Sequence, residues 1–304
     1  MRHVISVHDL TVDVIIDVLD RAEGMLEIAA GKAVNDCLRG KVLGSIFFEP
    51  STRTRLSFET AMNRLGGGVV GFAGTEATSV VKGETLADTI RMVSGYADAI
   101  VLRHPREGAA KLATEFSDVP IINAGDGAGQ HPTQTLLDLF TIRQNMGRLK
   151  DLNISLVGDL RYGRTVHSLA FALLNFGNTI NLVSPEGLEM PAEVVDHLKE
   201  SGQLGIACHT PEEVIAKTDV LYVTRIQKER FPDPVEYKKV AGKYMIDPQL
   251  VSQGPGQMIV MHPLPRVNEI TPEVDAMPQA KYFEQAANGV PVRMALLSMV
   301  IGGV

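Results

Sequence analysis

Short apolar, β-prone runs alternate with helix-period stretches along most of the chain. Strand patterns fall at 42–48, 69–73, 99–103 and 121–124, and again at 154–157, 180–183, 220–224 and 258–261. Helical spacing fills the intervals between them. Alternation of this kind predicts parallel sheets with right-handed crossover helices. Eight or more strands would fit one wide sheet, a barrel or two sheets. The helical stretch 133–146 ends at Gly147, with Arg148, Lys150 and Asp151 following, and a fresh strand begins beyond it. That stretch reads as a connector helix. The expected fold is therefore α/β with two domains, 1–146 and 147–304, each a parallel β-sheet flanked by helices. A last apolar helix, about 291–303, is expected to pack back on the first domain.

The pattern is richest in chemistry at Phe48-Glu49-Pro50-Ser51-Thr52-Arg53-Thr54-Arg55, where a buried strand gives way to a helix that stops at Gly66-Gly67-Gly68. Free N–H groups at the helix start, the positive end of its dipole, hydroxyl donors and two guanidinium forks converge where a phosphate could sit. A lone Ser-Thr pair would be an ordinary N-cap. Two arginines one residue apart in the same turn favour an anion site.

Composition narrows the partners. The chain has 304 residues, 45% hydrophobic and 21% charged, with a net charge of −7. An acidic balance argues against a nucleic-acid or anionic-membrane surface. No run approaches the roughly 18 apolar residues of a membrane span, and the N-terminus lacks a secretory core, so a cytoplasmic protein is expected. Cys37 and Cys208 have no metal-ligand spacing and read as inert thiols. Against this background Arg53, Arg55, Arg103, Arg164, Arg225 and Arg266 each lie at or just past the end of an apolar run, where open α/β sheets gather ligands. The expected substrate is small and anionic.

Five further clusters bear on it. Ser79-Val80-Val81-Lys82-Gly83-Glu84-Thr85 places Lys82 on a polar, glycine-hinged loop that could close over an anion; taken alone it reads as a solvated surface turn. Arg103-His104-Pro105 follows a strand. His131-Pro132-Thr133-Gln134 opens the connector helix, where a histidine tends to stay neutral yet can donate to a carbonyl oxygen. The loop 158–165 nearly spells a P-loop but carries arginine where lysine reaches the outer phosphates, and it fails the dinucleotide fingerprint. It suits a carboxylate, and Arg225-Ile226-Gln227 repeats the theme. Met261-His262-Pro263-Leu264-Pro265-Arg266 ends a strand with two prolines that leave carbonyls unpaired.

Together, Ser51-Thr52-Arg53-Thr54-Arg55, Lys82-Gly83-Glu84-Thr85, His131-Pro132-Thr133-Gln134, Arg225-Ile226-Gln227 and His262-Pro263-Leu264-Pro265 resemble the motif set of the carbamoyltransferases. Asn123-Ala124-Gly125-Asp126-Gly127 and Gly158-Asp159-Leu160 extend the likeness nearly end to end, closest to the branch that uses aspartate. Pro263 stands where the ornithine branch has a cysteine, and the ornithine-contacting Ser-Met-Gly motif is missing. The resemblance implies carbamoyl transfer from carbamoyl phosphate to L-aspartate in pyrimidine biosynthesis, with another amine such as ornithine as the alternative acceptor. It implies that Ser51, Thr52, Arg53, Thr54 and Arg103 hold the phosphate, and that Thr54, Arg103 and His131 touch the carbonyl oxygen. Gln134 and the carbonyls of Leu264 and Pro265 would hold the amide. Lys82, Arg164 and Arg225 would grip the aspartate carboxylates, with Gln227 in support. No metal, cofactor or covalent nucleophile is called for. Ser79 and Lys82 would come from the adjacent subunit of a catalytic homotrimer, alone or as two trimers assembled with separate regulatory chains.

Overall fold

The computed structural model describes residues 2–76, 78–226 and 245–302. Two compact units divide the chain, Met1–Phe140 with Ala287–Val304, and Thr141–Ala286. In the first, strands β1 (Val42–Phe47), β2 (Gly68–Ala73), β3 (Ala99–His104) and β4 (Ile121–Asp126) form a parallel sheet in the order β2-β1-β3-β4. Helices α1 (Val12–Gly24), α2 (Thr52–Arg64), α3 (Leu86–Ser94), α4 (Ala109–Thr114) and α5 (Pro132–Met146) accompany it, and α5 runs across the division. Ile46, Ile100, Leu102 and Ile121 bury one sheet face against Ile90 and Val93 of α3.

In the second unit β5 (Asn153–Val157), β6 (Thr179–Val183), β7 (Leu204–Cys208), β8 (Val220–Val223) and β9 (Ile259–Met261) are again all parallel, in the order β7-β6-β5-β8-β9. Helices α6 (Arg164–Leu174) and α7 (Ala192–Glu200) follow β5 and β6. The core gathers Val157, Leu221, Val223, Val260, Leu250 and Tyr282. Strand β7 lies outside the runs read from the sequence. It is an edge strand interrupted by Gly205, with Ile206 half-exposed, so it lacks the unbroken apolar pattern of a covered parallel strand.

Both sheets reverse direction beside their first strand. In the first unit β2 lies on one side of β1 and β3 on the other; in the second, β6 and β7 extend one way from β5 while β8 and β9 extend the other. Side chains just past β1 and β3, or just past β5 and β8, therefore meet at a topological switch point, the crevice in which such sheets bind ligands. The register is explicit: Phe47 faces Arg103, and Val157 faces Val223.

The last helix, α8 (Gly289–Ile301), is apolar on all sides apart from Arg293 and belongs to the first unit, against α1 and α2. Among the described residues no helix is long and apolar enough to cross a membrane.

Candidate active site

Helix α2 begins at Thr52 with Ser51 as its N-cap, in extended conformation and with no side-chain capping bond. By contrast, α1 and α3 are capped by Thr11 and Thr85, whose hydroxyls accept the Val14 and Asp88 N–H groups. The α2 start thus offers uncapped N–H donors and a free hydroxyl at its positive end. Thr52 and Arg53 are exposed on this turn, and Thr54 is buried. Arg103, one strand over, is held on two sides: Nη2 contacts Glu49 Oε1 at 2.6 Å and Nη1 donates to the Ala124 carbonyl at 3.0 Å. Its Nε is buried with no partner among the described residues. Burial lowers the Arg103 pKa, partly offset by Glu49; partial burial and then repulsion from Arg103 lower that of Arg53. Two guanidinium groups near enough to repel make a site that an anion relieves.

His131 closes this cluster. The Asn123 side chain accepts from Gly125 N and donates to the Ile5 and Gln130 carbonyls, and Asp126 accepts from Gln130 N and Gly108 N. The loop before α5 is thereby fixed. His131 is 4% exposed, with Nε2 3.5 Å from Thr54 Oγ1 and Nδ1 3.4 Å from Thr133 Oγ1. One turn on, Gln134 Nε2 donates to Asp138 Oδ1 at 2.8 Å, which leaves its Oε1 as the acceptor. Arg293 of α8, fully buried, reaches Thr133 Oγ1 at 3.4 Å and lies 4.9 Å from the Phe58 ring centroid. Burial pulls its pKa down to about 9, and Asp138 opposes that shift. Ser79 and Lys82 occupy a single exposed turn, Ser79–Lys82, ended by Gly83 in the left-handed region.

In the second unit Gly158 ends β5 with φ +117, and a Cβ there would collide with the Thr224 carbonyl at the end of β8. Only glycine lets the two strand ends pass this closely. Arg164 opens α6, which has no side-chain cap, and Arg225 follows Thr224; both are half-buried. The loop between resembles a P-loop in outline, but the fully buried Asp159 accepts the Tyr162 N–H at 2.9 Å. A carboxylate occupying a loop amide is the opposite of what a nucleotide phosphate requires.

Past β9, His262 and Glu269 form a buried pair, Nε2 to Oε1 2.7 Å, 1% and 7% exposed. His262 Nδ1 accepts from Leu264 N at 2.8 Å, and Glu269 Oε2 accepts from Val267 N and Asn268 N, each at 3.1 Å. Burial pushes the Glu269 carboxyl up, but His262 and the backbone N–H groups outweigh it and hold the pKa below its ordinary value. Leu264 has φ +53 and its peptide to Pro265 is cis. No donor among the described residues reaches the Leu264 or Pro265 carbonyl.

Two profiles cover the chain: residues 2–144 match the aspartate/ornithine carbamoyltransferase carbamoyl-P binding domain, and residues 150–300 match the Asp/Orn binding domain of the same family. The chain belongs to the aspartate/ornithine carbamoyltransferase family. It is 58% identical over 300 residues to the aspartate carbamoyltransferase catalytic subunit of Methanothermobacter thermautotrophicus, covering 99% of this chain and 96% of that one. The corresponding subunit of Methanospirillum hungatei is 56% identical over 301 residues, covering 99% and 100%. Among solved structures, the catalytic subunit of M. jannaschii aspartate transcarbamoylase superposes with a TM-score of 0.93 at 54% identity, over 99% of this chain and 98% of that one. Aspartate transcarbamoylase from Trypanosoma cruzi, in complex with carbamoyl phosphate, gives 0.93 at 42% identity, over 99% and 96%.

Two arginines of the sequence reading lie elsewhere in this carbamoyltransferase chain. Arg55 does not join Arg53: its Nε donates to Glu59 one turn on, at 2.7 Å, and Ser45 holds the same carboxylate. An i,i+4 partner on its own helix outcompetes the anion site. Arg266 is bound to Asp275 through both terminal nitrogens and lies over the Tyr282 ring. Gln227 lies outside the described residues. The sequence reading did not single out Glu49, Asp138, Arg293 or Glu269. Only Arg293 carried a visible signal, a charge inside an otherwise apolar helix.

Proposed function

We propose that this chain transfers the carbamoyl group of carbamoyl phosphate to the α-amine of L-aspartate, yielding N-carbamoyl-L-aspartate and phosphate in de novo pyrimidine biosynthesis. One observation carries the reading: each unit gathers arginines at the switch point of its sheet, Arg53 and Arg103 in the first, Arg164 and Arg225 in the second. Two cationic centres suit two anionic substrates. The second also argues for aspartate over ornithine, whose cationic side chain two arginines would repel. Relatives bearing the aspartate name over their full length support that choice.

In this reading Ser51, Thr52, Arg53, Thr54 and Arg103 hold the phosphate, while Thr54, Arg103 and His131 face the carbonyl oxygen. Gln134 and the carbonyls of Leu264 and Pro265 accept the amide hydrogens. Arg164, Arg225 and Lys82 grip the aspartate carboxylates, with Gln227 in support. The amine lone pair forms the new C–N bond and negative charge builds on the carbonyl oxygen of a tetrahedral intermediate. The bond from the carbonyl carbon to the bridging oxygen then breaks, with its electron pair leaving on that oxygen as phosphate, which also takes the amine proton. Donors already fixed at the oxyanion and leaving group lower this barrier, and removing one typically costs about 3 kcal/mol. Aligning two anions that repel each other supplies much of the remainder.

The exposure of Ser79 and Lys82 on one turn fits their reaching a neighbouring subunit's site in a catalytic homotrimer. Two such trimers could assemble with separate regulatory chains. The reaction is assigned to the cytoplasm. The test is ureido-product formation from carbamoyl phosphate with L-aspartate and, in parallel, L-ornithine. Carbamoyl-aspartate alone is expected; product only with ornithine would overturn the acceptor, and none with either would leave an anion-binding module.

A further inference from the structure

The loop that carries the Leu264 and Pro265 carbonyls has few ways to hold itself. Pro263 and Pro265 have no N–H, and Leu264 is a branched residue in the left-handed region, a conformation that persists only where the surroundings over-determine it. Three of the N–H groups that remain converge on two buried side chains. Leu264 N donates to His262 Nδ1, and Val267 N and Asn268 N donate to Glu269 Oε2. His262 itself is anchored through its backbone N–H to Gln285 Oε1 at 2.8 Å. Because Nδ1 must accept, the ring carries its proton on Nε2, where Glu269 Oε1 receives it at 2.7 Å. Each acceptor atom faces a donor, so the pair fixes one imidazole tautomer and one loop conformation together.

We propose that the buried Glu269–His262 pair is a positioning device that fixes the Leu264 and Pro265 carbonyls as acceptors and so sets the preference for a carbamoyl over an acetyl group. This rests on the reading above that these carbonyls hold the carbamoyl amide. Acetyl phosphate is the discriminating probe, since a methyl replaces the NH2 group while the phosphate and carbonyl remain. Glu269→Gln keeps the shape of the side chain but not its acceptor pattern. If the amide oxygen faces Val267 N and Asn268 N, its NH2 faces His262 Nε2–H; if it faces His262, its NH2 faces the backbone donors. Either way donor meets donor and the loop shifts.

The experiment titrates wild type, Glu269→Gln and His262→Asn with carbamoyl phosphate, acetyl phosphate and inorganic phosphate by calorimetry, with thermal unfolding of each protein alongside. Wild type is expected to favour carbamoyl over acetyl phosphate. In Glu269→Gln that ratio should fall roughly fivefold to tenfold, the worth of about one neutral hydrogen bond, with phosphate affinity unchanged. His262→Asn, whose Oδ1 can still accept from Leu264 N but cannot reach Glu269, should lose less. A purely structural role would weaken all three ligands alike and leave the ratio unmoved, which would overturn the proposal. Should Glu269→Gln not fold, an unmoved ratio in His262→Asn would overturn it on its own. A wild type that binds both acyl phosphates equally would instead remove the amide contacts, and the function reading with them.

Discussion

The β1–α2 and β5–α6 junctions are built on one plan and finished differently. Both lie at the switch point of a parallel sheet, both open a helix without a side-chain cap, and both set an arginine on that turn near an arginine at or just past the end of the neighbouring strand. At the first junction Arg53 is exposed on the turn but the donors around it are packed: Thr54 and His131 are 7% and 4% exposed and 3.5 Å apart, and Arg103 is braced by Glu49 and Ala124. At the second, Arg164 and Arg225 are half-buried, and the loop between them is closed by Asp159. The difference follows the charge each must meet. Charge that appears only in the transition state needs donors oriented and desolvated beforehand. Carboxylates that keep their charge throughout need to be held, which half-buried arginines can do.

Four measurements press on this contrast. Arg53→Ala should have the largest effect, lowering kcat at least a hundredfold, about 3 kcal/mol, in steady-state assays saturated with both substrates. Arg225→Ala should act mainly on the KM for aspartate, raising it about tenfold to a hundredfold, as expected for one lost charge-assisted hydrogen bond of roughly 1.5–3 kcal/mol. Equal losses of kcat in both variants would erase the distinction. Mixing Lys82→Ala chains with Arg53→Ala chains should restore part of the activity, since one subunit then supplies Arg53 and its neighbour Lys82. No recovery would make each site self-contained.

The smallest effect is on stability at acid pH. His104 in the first unit and His167 in the second are both desolvated by burial, which lowers their pKa from the ordinary 6.5. The unfolded chain then binds more protons than the folded one just below pH 6.5, so stability falls as pH drops through that value and levels off below the folded pKa. For each group the slope stays below about 1.4 kcal/mol per pH unit. His167→Gln, whose side chain can still donate to the Leu160 carbonyl that His167 Nε2 meets at 2.7 Å, should flatten the melting-temperature profile between neutrality and mild acid. An unchanged profile would remove His167 from the account.

Much of this was legible in the chain. The alternation of strand and helix patterns carried the α/β class and eight of the nine strands among the described residues, because covered parallel strands read as continuous apolar runs and the exposed edge strand β2 still carries Val69, Val70 and Phe72. Strand β7 did not, since an exposed edge interrupted by Gly205 removes the pattern that would reveal it. Ser51, Arg53, Arg103, Arg164 and Arg225 could be picked out because strand ends can be located from periodicity alone. Whether an arginine is taken up by a nearby carboxylate cannot be. Arg55 and Arg266 look like Arg53 in sequence and differ only in having Glu59 and Asp275 within reach. The roles of Asp138, Arg293 and Glu269 were out of reach for a related reason. Arg293 shows as a charge in an apolar helix, but its partner Thr133 lies 160 residues away, and Asp138 and Glu269 meet nearby groups through side-chain geometry that spacing alone does not announce.

The most direct test of the division of labour asks which arginine meets carbamoyl phosphate. Carbamoyl phosphate would be titrated into wild type, Arg53→Ala and Arg225→Ala in a calorimeter, with aspartate omitted. The account predicts near wild-type affinity for Arg225→Ala and a large loss for Arg53→Ala; equal weakening of both would contradict it.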